Sequence, residues 1–305
     1  MITLPEAFEQ EMKQLLGEEE YEAYCKTFDE AVHRGLRVNN GKISTEEFLR
    51  RTDIPLKKVP WIPNGFYYDE ESCNPAKDAD YYAGLYYLQE PSAMTPASRL
   101  PIEPDDRVLD LCAAPGGKAT ELGSRIGEGG MLLANDISNS RAKALLRNLE
   151  IQGVGRLLVT SEDPEKLVTL YPAFFDKILL DAPCSGEGMF RKESSMLRYY
   201  SENGPEHYVP IQKKLIEQAY QMLAEGGELL YSTCTFSVKE NEEVIAGLLD
   251  AHPDMEVQEI TPGYEGFAPG VSVNGRDLSR CVHIFPQRME GEGPVSYTHL
   301  RAHET

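Results

Sequence analysis

One stretch, residues 108–120, limits the possible folds of this chain more than any other, because it is typical of a strand that ends in a tight glycine turn and opens a helix. Residues 108–111 form a short, mostly apolar run of the kind found in buried parallel strands, and apolar residues recur at helical spacing from Ala119 onward. The small residues of the turn allow a ligand to approach the backbone, and the new helix offers unpaired N–H groups to a polar or anionic group. We therefore interpret the turn, residues 112–118, as a ligand-binding loop.

Two common nucleotide-binding loops do not fit this turn. A phosphate-binding loop requires glycine where Cys112 stands and serine or threonine where Ala119 stands. The dinucleotide-binding pattern G-x-G-x-x-G is also absent. A Gly-Gly pair between a strand and a helix is often only a connection, so this plainer interpretation stays open at this point.

From Arg107 onward the sequence alternates between strand and helix patterns. Further strands are predicted over residues 131–135, 156–160, 175–180 and 228–232, with two more candidates over 256–260 and 281–285. Ser237 and Glu240 form a capping-box pattern that predicts the start of a late helix. Such alternation predicts an α/β fold with a doubly wound, mostly parallel, Rossmann-like sheet over residues 96–293. Residues 1–95 are predicted to form a smaller, mainly helical N-terminal domain.

The composition narrows the class of protein. No apolar run reaches the length of a membrane span and the acidic start is not a signal peptide, so we expect a cytoplasmic protein without membrane contact. Six cysteines occur without a C-x-x-C pair, which favours neither a metal site nor a disulfide framework. The net charge of -20 argues against nucleic-acid binding over the whole surface. The basic stretch 34–58 is the best local candidate for a phosphate-facing surface, although a solvated face explains it equally well.

Polar and reactive residues follow the predicted strands at the edge where such sheets bind ligands. Asp136 follows the second strand and suits the two hydroxyls of a ribose, although a lone aspartate at this place is more often a helix cap. Residues 181–188 follow the fourth strand with the sequence Asp-Ala-Pro-Cys-Ser-Gly-Glu-Gly, and residues 231–235 end the fifth with Tyr-Ser-Thr-Cys-Thr. We expect these segments to meet the glycine loop at one edge of the sheet.

Together with Ala-Ala-Pro-Gly-Gly-Lys at 113–118, these two motifs closely resemble those of S-adenosylmethionine-dependent RNA cytosine-C5 methyltransferases. Residues 81–92 are similar to the bacterial ribosomal-RNA branch of that family, and the likeness covers nearly all of residues 1–293. The resemblance implies an enzyme that uses S-adenosylmethionine and no metal. It also implies RNA as the partner, either ribosomal RNA or a ribosomal subunit, with residues 1–95 as an RNA-binding or accessory domain.

The chemistry of cytosine methylation explains two cysteines. C5 of cytosine is a poor nucleophile until a thiolate adds at C6, and the adduct must later be resolved with the help of a second group. The resemblance assigns attack to Cys234 and release to Cys184, and it places Asp181 on the cytosine edge. It also implies that the loop binds the cofactor, with Asp136 at the ribose, Asp163 at the adenine and Asp181 near the methionine end. The loop residues are Cys112, Ala113, Ala114, Pro115, Gly116, Gly117 and Lys118. Arg141 is a weaker candidate.

Three alternatives stay open. The same chemistry would serve a transfer-RNA methyltransferase, and a DNA-type enzyme would use Cys184 as the nucleophile, although the Thr-Cys motif argues against that arrangement. A ribosome-assembly protein could keep the fold without catalysis, although the presence of both cysteines and Asp181 disfavours this role.

The last residues depart from the family pattern. A further C-terminal RNA-binding portion is expected to follow residue 293, so we interpret the chain as C-terminally truncated, and residues 294–305 resemble foreign sequence. We therefore predict a non-native tail over 294–305 and leave it out of the predicted fold.

Overall fold

The N-terminal part of the chain folds around a small antiparallel sheet. The computed structural model describes residues 3–193, 195–291 and 296–303. In chain order the N-terminal helices and strands are α1 (Glu6–Leu16), α2 (Glu18–Lys26), β1 (Arg34–Val38), α3 (Thr45–Arg51), β2 (Leu56–Lys58), β3 (Gly65–Tyr68), α4 (Ala79–Tyr82) and β4 (Tyr86–Leu88). The sheet has the order β2-β3-β1-β4. Helices contribute more residues than strands, as expected, but the sheet itself is not predicted, because strands of three to five residues are too short to show a clear period.

The remainder forms the predicted α/β layer structure. Its elements are α5 (Thr95–Arg99), β5 (Arg107–Asp110), α6 (Gly117–Arg125), β6 (Met131–Asn135), α7 (Asn139–Gln152), β7 (Leu157–Thr160), α8 (Pro164–Leu170), β8 (Phe175–Asp181), α9 (Ser195–Glu202), α10 (Pro205–Met222), β9 (Leu223–Thr233), α11 (Glu242–Ala251), β10 (Met255–Gln258), β11 (Phe267–Pro269), β12 (Val282–Ile284) and β13 (Ser296–Ala302). Strands β7-β6-β5-β8-β9 are parallel in that order. The predicted Rossmann-like sheet is therefore confirmed, and its order reverses between β5 and β8, where such sheets open a ligand crevice.

Both faces of the central strands are covered. Leu109 and Leu180 pack in a cluster with α10 and α11, whereas Val108 and Leu179 pack with α6 and α7 on the opposite face. This two-sided burial explains why the strands are continuous apolar runs in the sequence. None of the helices in the described ranges has both the length and the apolar character required to cross a membrane.

Strand β13 of the large sheet differs from expectation. The sequence predicts no place in the fold for residues 294–305, yet β13 lies between β9 and β12 and pairs antiparallel with both. Tyr297 and Leu300 of β13 are buried, so the strand covers apolar surface as well as satisfying the hydrogen-bonding edge of β9. The origin of this segment stays a prediction, and residues 292–295, 304 and 305 lie outside the described residues.

A buried ion pair joins the N-terminal sheet to the larger one. Arg37 of β1 places its Nε atom 2.9 Å from a carboxylate oxygen of Glu121 on α6, and both side chains are less than a tenth exposed. The guanidinium also donates to the carbonyl oxygen of Gly117 at 2.7 Å and to the hydroxyl of Thr120 at 2.7 Å. The start of α6 is therefore held directly by the N-terminal part.

Most cations of the basic stretch 34–58 have partners within the protein, and its role as a phosphate-facing surface stays a prediction. Arg37 is buried in the interface, and the ammonium of Lys42 donates to two backbone carbonyls. Arg34, Arg51 and Lys57 form ion pairs with Glu70, Asp80 and Glu290, respectively. Most of this charge is therefore neutralised by carboxylates that are far away in the sequence.

We expect Arg37→Ala to lower the free energy of unfolding by about 3–5 kcal/mol, because it leaves the Glu121 carboxylate buried without its main partner. Arg34→Ala is the matched control, since its ion pair with Glu70 is solvent-exposed and should contribute at most about 1 kcal/mol. Urea denaturation followed by circular dichroism measures both. Equal losses for the two variants would contradict the role of the buried pair.

Candidate active site

A cavity of about 460 Å³ opens where β5 and β8 end, between the glycine loop and β4. Most of the predicted residues line it, namely Cys112, Ala113, Ala114, Pro115, Gly117, Lys118, Asp181 and Cys234. The opposite wall comes from the N-terminal part through Tyr87, Leu88 and Gln89, which the sequence analysis did not select. The cavity is thus shared by both parts of the chain.

Local backbone geometry explains the two glycines of the loop. Gly116 has a φ of +113°, a conformation that L side chains rarely adopt. A Cβ atom on Gly117 would lie 2.9 Å from the side-chain nitrogen of Gln89, so the N-terminal part approaches the loop closely at this glycine. Because α6 begins at Gly117, its first N–H groups lie beside the cavity. Burial raises the pKa of Cys112 well above its usual value, so this cysteine stays a neutral thiol.

The two motif cysteines lie in contact. Their sulfur atoms are 3.1 Å apart, and the backbone N–H of Cys234 points at the sulfur of Cys184 with an N-to-S distance of 3.3 Å. The hydrogen bond with Cys234, together with burial, raises the pKa of the Cys184 thiol. The 3.1 Å contact allows either sulfur to donate a proton to the other, so the two thiols act as one pair.

A lysine and an aspartate complete the site. The Lys118 ammonium lies 2.7 Å from one carboxylate oxygen of Asp181, and the hydroxyl of Ser232 donates to the other at 2.8 Å. Burial alone would lower the pKa of Lys118, but the carboxylate of Asp181 outweighs it and the net pKa is raised, with a smaller contribution from Cys234. Lys118 is thus a fixed positive charge beside both Asp181 and Cys234.

Asp110 is a further acid that sequence reasoning missed. Its side chain is fully buried at the end of β5 and lines the cavity. Burial and the nearby charge of Asp181 raise its pKa to about 8. An aspartate that ends an otherwise apolar strand is the sequence signal that could have identified it.

The two remaining predicted aspartates are placed differently. Asp136, at the end of β6, is 3% exposed and accepts from the N–H of Ser138 at 2.9 Å. It pairs with Arg141, whose guanidinium donates to the carbonyl oxygen of Ala114, so Asp136 is tied to the loop without lining the cavity. Asp163 is exposed, caps α8 through the N–H of Glu165 and lies outside the cavity wall. Its adenine contact stays a prediction.

The capping box predicted from Ser237 and Glu240 is wrong. Helix α11 begins at Glu242, and the Glu240 side chain is fully buried. Its carboxylate accepts instead from the backbone N–H of Ser185, next to Cys184, and from the side chain of Gln212. The carboxylate therefore organises the cysteine loop and does not cap a helix.

Comparison with known proteins identifies the family. The model of the family described as 16S rRNA methyltransferase RsmB/F matches residues 97–299, and that of the N-terminal domain of 16S rRNA methyltransferase RsmF matches residues 4–91. The chain belongs to the RsmB/F family. The resemblance drawn from the three sequence motifs is confirmed at this level.

Two similar proteins agree with the assignment of the chain to the RsmB/F family. Ribosomal RNA small subunit methyltransferase F of Erwinia tasmaniensis is 36% identical over 302 residues, which cover 96% of this chain and 62% of the relative. The protein of the same name from Photobacterium profundum is 36% identical over 303 residues and is also covered to 62%, for 95% of this chain. The chain thus spans less than two thirds of the length of these relatives.

Solved structures share the fold. A methyltransferase homolog protein from Pyrococcus horikoshii superposes with a TM-score of 0.82 at 29% identity, covering 98% of this chain and 95% of that one. NSun6 from the same organism has a TM-score of 0.81 over 99% of both chains at 22% identity, which supports the fold alone.

We expect Lys118→Met to slow the alkylation of Cys234 by iodoacetamide at neutral pH by about tenfold, because loss of the neighbouring positive charge disfavours the reactive thiolate. Peptide mass spectrometry of the modified protein measures the rate at each cysteine. Lys166→Met is the control, since Lys166 is exposed on α8 and pairs only with Glu162 among the described residues. A Lys118→Met rate equal to that of the control would show that Lys118 does not stabilise the thiolate.

Proposed function

We propose that this protein transfers the methyl group of S-adenosylmethionine to C5 of a cytosine in RNA, with small-subunit ribosomal RNA as the substrate. The observation that carries the proposal is the 3.1 Å contact between the sulfurs of Cys184 and Cys234 beside a glycine loop at the carboxyl edge of a Rossmann-like sheet. Family membership supports ribosomal RNA over transfer RNA.

The residues around the cavity fit S-adenosylmethionine. The start of α6 would offer N–H groups to the carboxylate of the methionine end, and the carboxylate of Asp181 suits its positive charges. Asp136 would accept from the ribose hydroxyls and Asp163 would contact the adenine. The loop residues would be Cys112, Ala113, Ala114, Pro115, Gly116, Gly117 and Lys118. When bound, the cofactor supplies an electrophilic methyl group on a positively charged sulfur.

The two cysteines have different roles in the covalent steps. Cys234 attacks as the thiolate, its sulfur forms a bond to C6, and the electrons of the C5–C6 double bond move into the ring, where Asp181 stabilises the proton on the ring nitrogen. With Cys234 bound at C6, C5 would be nucleophilic enough to accept the methyl group that the bound cofactor would supply. Loss of the C5 proton to water re-forms the double bond and expels Cys234 with the electron pair of the S–C6 bond.

Cys184 assists this last step. Because its raised pKa keeps it a thiol, it donates a hydrogen bond to the Cys234 sulfur as negative charge returns there. A developing thiolate that receives a hydrogen bond is a better leaving group. The proposed division of roles therefore follows from which sulfur holds the proton.

We expect Asp136→Ala to weaken S-adenosylmethionine binding by about tenfold or more, because the ribose hydroxyls lose a charged acceptor worth about 1.5–3 kcal/mol. Isothermal titration calorimetry measures the dissociation constant. Asp53→Ala is the control, since Asp53 lies in an exposed segment after α3. An Asp136→Ala affinity equal to that of the control would remove the ribose assignment.

The decisive experiment separates the two cysteines. We expect Cys184→Ala to accumulate an RNA adduct that survives denaturing electrophoresis while turnover falls, because attack remains and release is impaired. Cys234→Ala should abolish both the adduct and methylation, measured with tritiated cofactor. Cys73→Ala, a loop cysteine of the N-terminal part, is the control and should match the wild type.

Base accessibility should also affect trapping. Unpaired RNA avoids the few kcal/mol needed to extract a stacked base, so single-stranded substrate should trap best. An adduct with Cys234→Ala and none with Cys184→Ala would reverse the roles and favour the DNA-type arrangement. Absence of methylation and of any adduct with ribosomal RNA would instead favour the non-catalytic assembly protein.

A further inference from the structure

Four buried side chains form a continuous row of hydrogen bonds behind the two cysteines. The Ser185 hydroxyl contacts one carboxylate oxygen of Glu240 and lies 2.9 Å from the hydroxyl of Thr235. The Thr235 hydroxyl lies 2.7 Å from a carboxylate oxygen of Glu187. All four residues are at most 1% exposed. Since Ser185 follows Cys184 and Thr235 follows Cys234, the row connects the two cysteine loops.

The protons in this row can be counted. Three oxygen-to-oxygen contacts join the four groups, and each contact requires one proton between its two oxygens. The hydroxyls of Ser185 and Thr235 supply only two. The N–H groups of Phe236 and Ser237 donate to row oxygens of Glu187 and Thr235 from outside the row, and that of Ser185 donates to the other oxygen of Glu240, so none of them bridges these contacts. The third proton must therefore belong to a carboxyl group at one end of the row.

The surroundings indicate which end holds it. Glu240 receives two further hydrogen bonds, from the N–H of Ser185 at 3.0 Å and from the side chain of Gln212 at 2.8 Å, which stabilise a charged carboxylate. Glu187 receives one from the backbone, from the N–H of Phe236 at 2.9 Å, and its side chain also interacts with the Tyr200 hydroxyl. Burial raises the pKa of both carboxyl groups, and with the nearby charge of Glu11 it raises that of Glu187 to about 8. The titratable and charged groups that face the row are Glu11 of α1, Tyr24 of α2, Arg191, Tyr200 of α9, Tyr208 of α10, Tyr231 of β9 and Cys184.

We propose that Glu187 and Glu240 share one proton and act, through Ser185 and Thr235, as positioning residues that hold the Cys184 loop against the Cys234 loop. The proton lies on Glu187, and each group donates in turn toward the Glu240 carboxylate. The inference rests on the proposed function only for the chemical role given to the two thiols. Its test uses the protein alone, without RNA or cofactor, so its failure would leave the adduct experiment unaffected.

The shared proton has a defined effect on stability. The pKa of Glu187 is raised on folding, so the native protein holds a proton that the unfolded chain loses above about pH 4.3. The stability that this proton contributes is complete at low pH and is lost as the pH rises toward 8, where the native state also releases it. Between these limits the unfolding equilibrium constant increases about tenfold per pH unit on account of this group.

The first test measures the unfolding equilibrium constant by urea denaturation from pH 5 to pH 7.5. Glu187→Gln should lower the rise of the unfolding equilibrium constant with pH by about one decade per pH unit, because the amide donates to Thr235 without binding a proton. Glu243→Gln on the exposed face of α11 is the control and should keep the wild-type slope. A wild-type slope in Glu187→Gln would show that Glu187 is not protonated.

Glu240→Gln tests whether the proton is shared. The N–H groups of Ser185 and Gln212 both point at one oxygen of Glu240, so the new amide keeps its carbonyl there and turns its NH2 group toward the Ser185 hydroxyl. Both hydroxyls must then reverse, and Glu187 becomes the ionised acceptor at the other end. Glu240→Gln should therefore also lose about one decade per pH unit. Retention of the wild-type slope would overturn the shared proton.

A second measurement tests positioning. Thr235→Val interrupts the row without changing a carboxylate, and it should speed the alkylation of Cys184 by iodoacetamide by about fivefold or more, because the loops separate more often. Thr235→Ser restores the hydroxyl and should return the rate to that of the wild type. A Thr235→Val rate equal to that of the wild type, or a Thr235→Ser rate equal to that of Thr235→Val, would overturn the positioning role.

Discussion

The register of two parallel strands controls the chemistry of this protein. Asp181 of β8 pairs with Ser232 of β9, so the chain leaves both strands at the same level of the sheet. Cys184 and Cys234 follow within three residues of that pair, which brings their sulfurs to 3.1 Å. A slip of one residue would turn the apolar side chains of a strand to the opposite face, so packing on both faces keeps the register, and with it the thiol pair, in place.

The Lys118 ammonium is the positive charge paired with Asp181 in the cavity. Its pKa is lowered by burial and raised more strongly by the Asp181 carboxylate, with smaller contributions from Asp110 and Cys234. Asp110 also lines the cavity, but burial raises its pKa to about 8, so it adds little negative charge in neutral solution. The site therefore brings an ammonium, a carboxylate and the cysteine pair together in a partly buried place.

The N-terminal part of the chain contributes directly to the cavity. Its β4 segment and the residues that follow form one wall of the cavity, and the Gln89 side chain lies directly against Gly117. The buried pair of Arg37 and Glu121 fixes this approach, because it anchors β1 to the first turns of α6. The glycine loop and the N-terminal sheet are therefore held together by Arg37, so a change at Arg37 is expected to alter the candidate active site without removing a residue that lines it.

Local sequence patterns determined the α/β class, the parallel strands and the loop at 112–118, because periodicity, small residues and apolar runs act over neighbouring positions. Tertiary structure alone decided which distant groups meet. The role of Glu240 could not be predicted, since its partners Ser185 and Gln212 are at least 28 residues away along the chain. Asp163, which the resemblance assigns to the adenine, caps α8 and lies outside the cavity wall. Each pKa is set by burial and by the groups that lie close across the sheet. Both depend on strand order and side-chain packing, which no single segment of the sequence encodes.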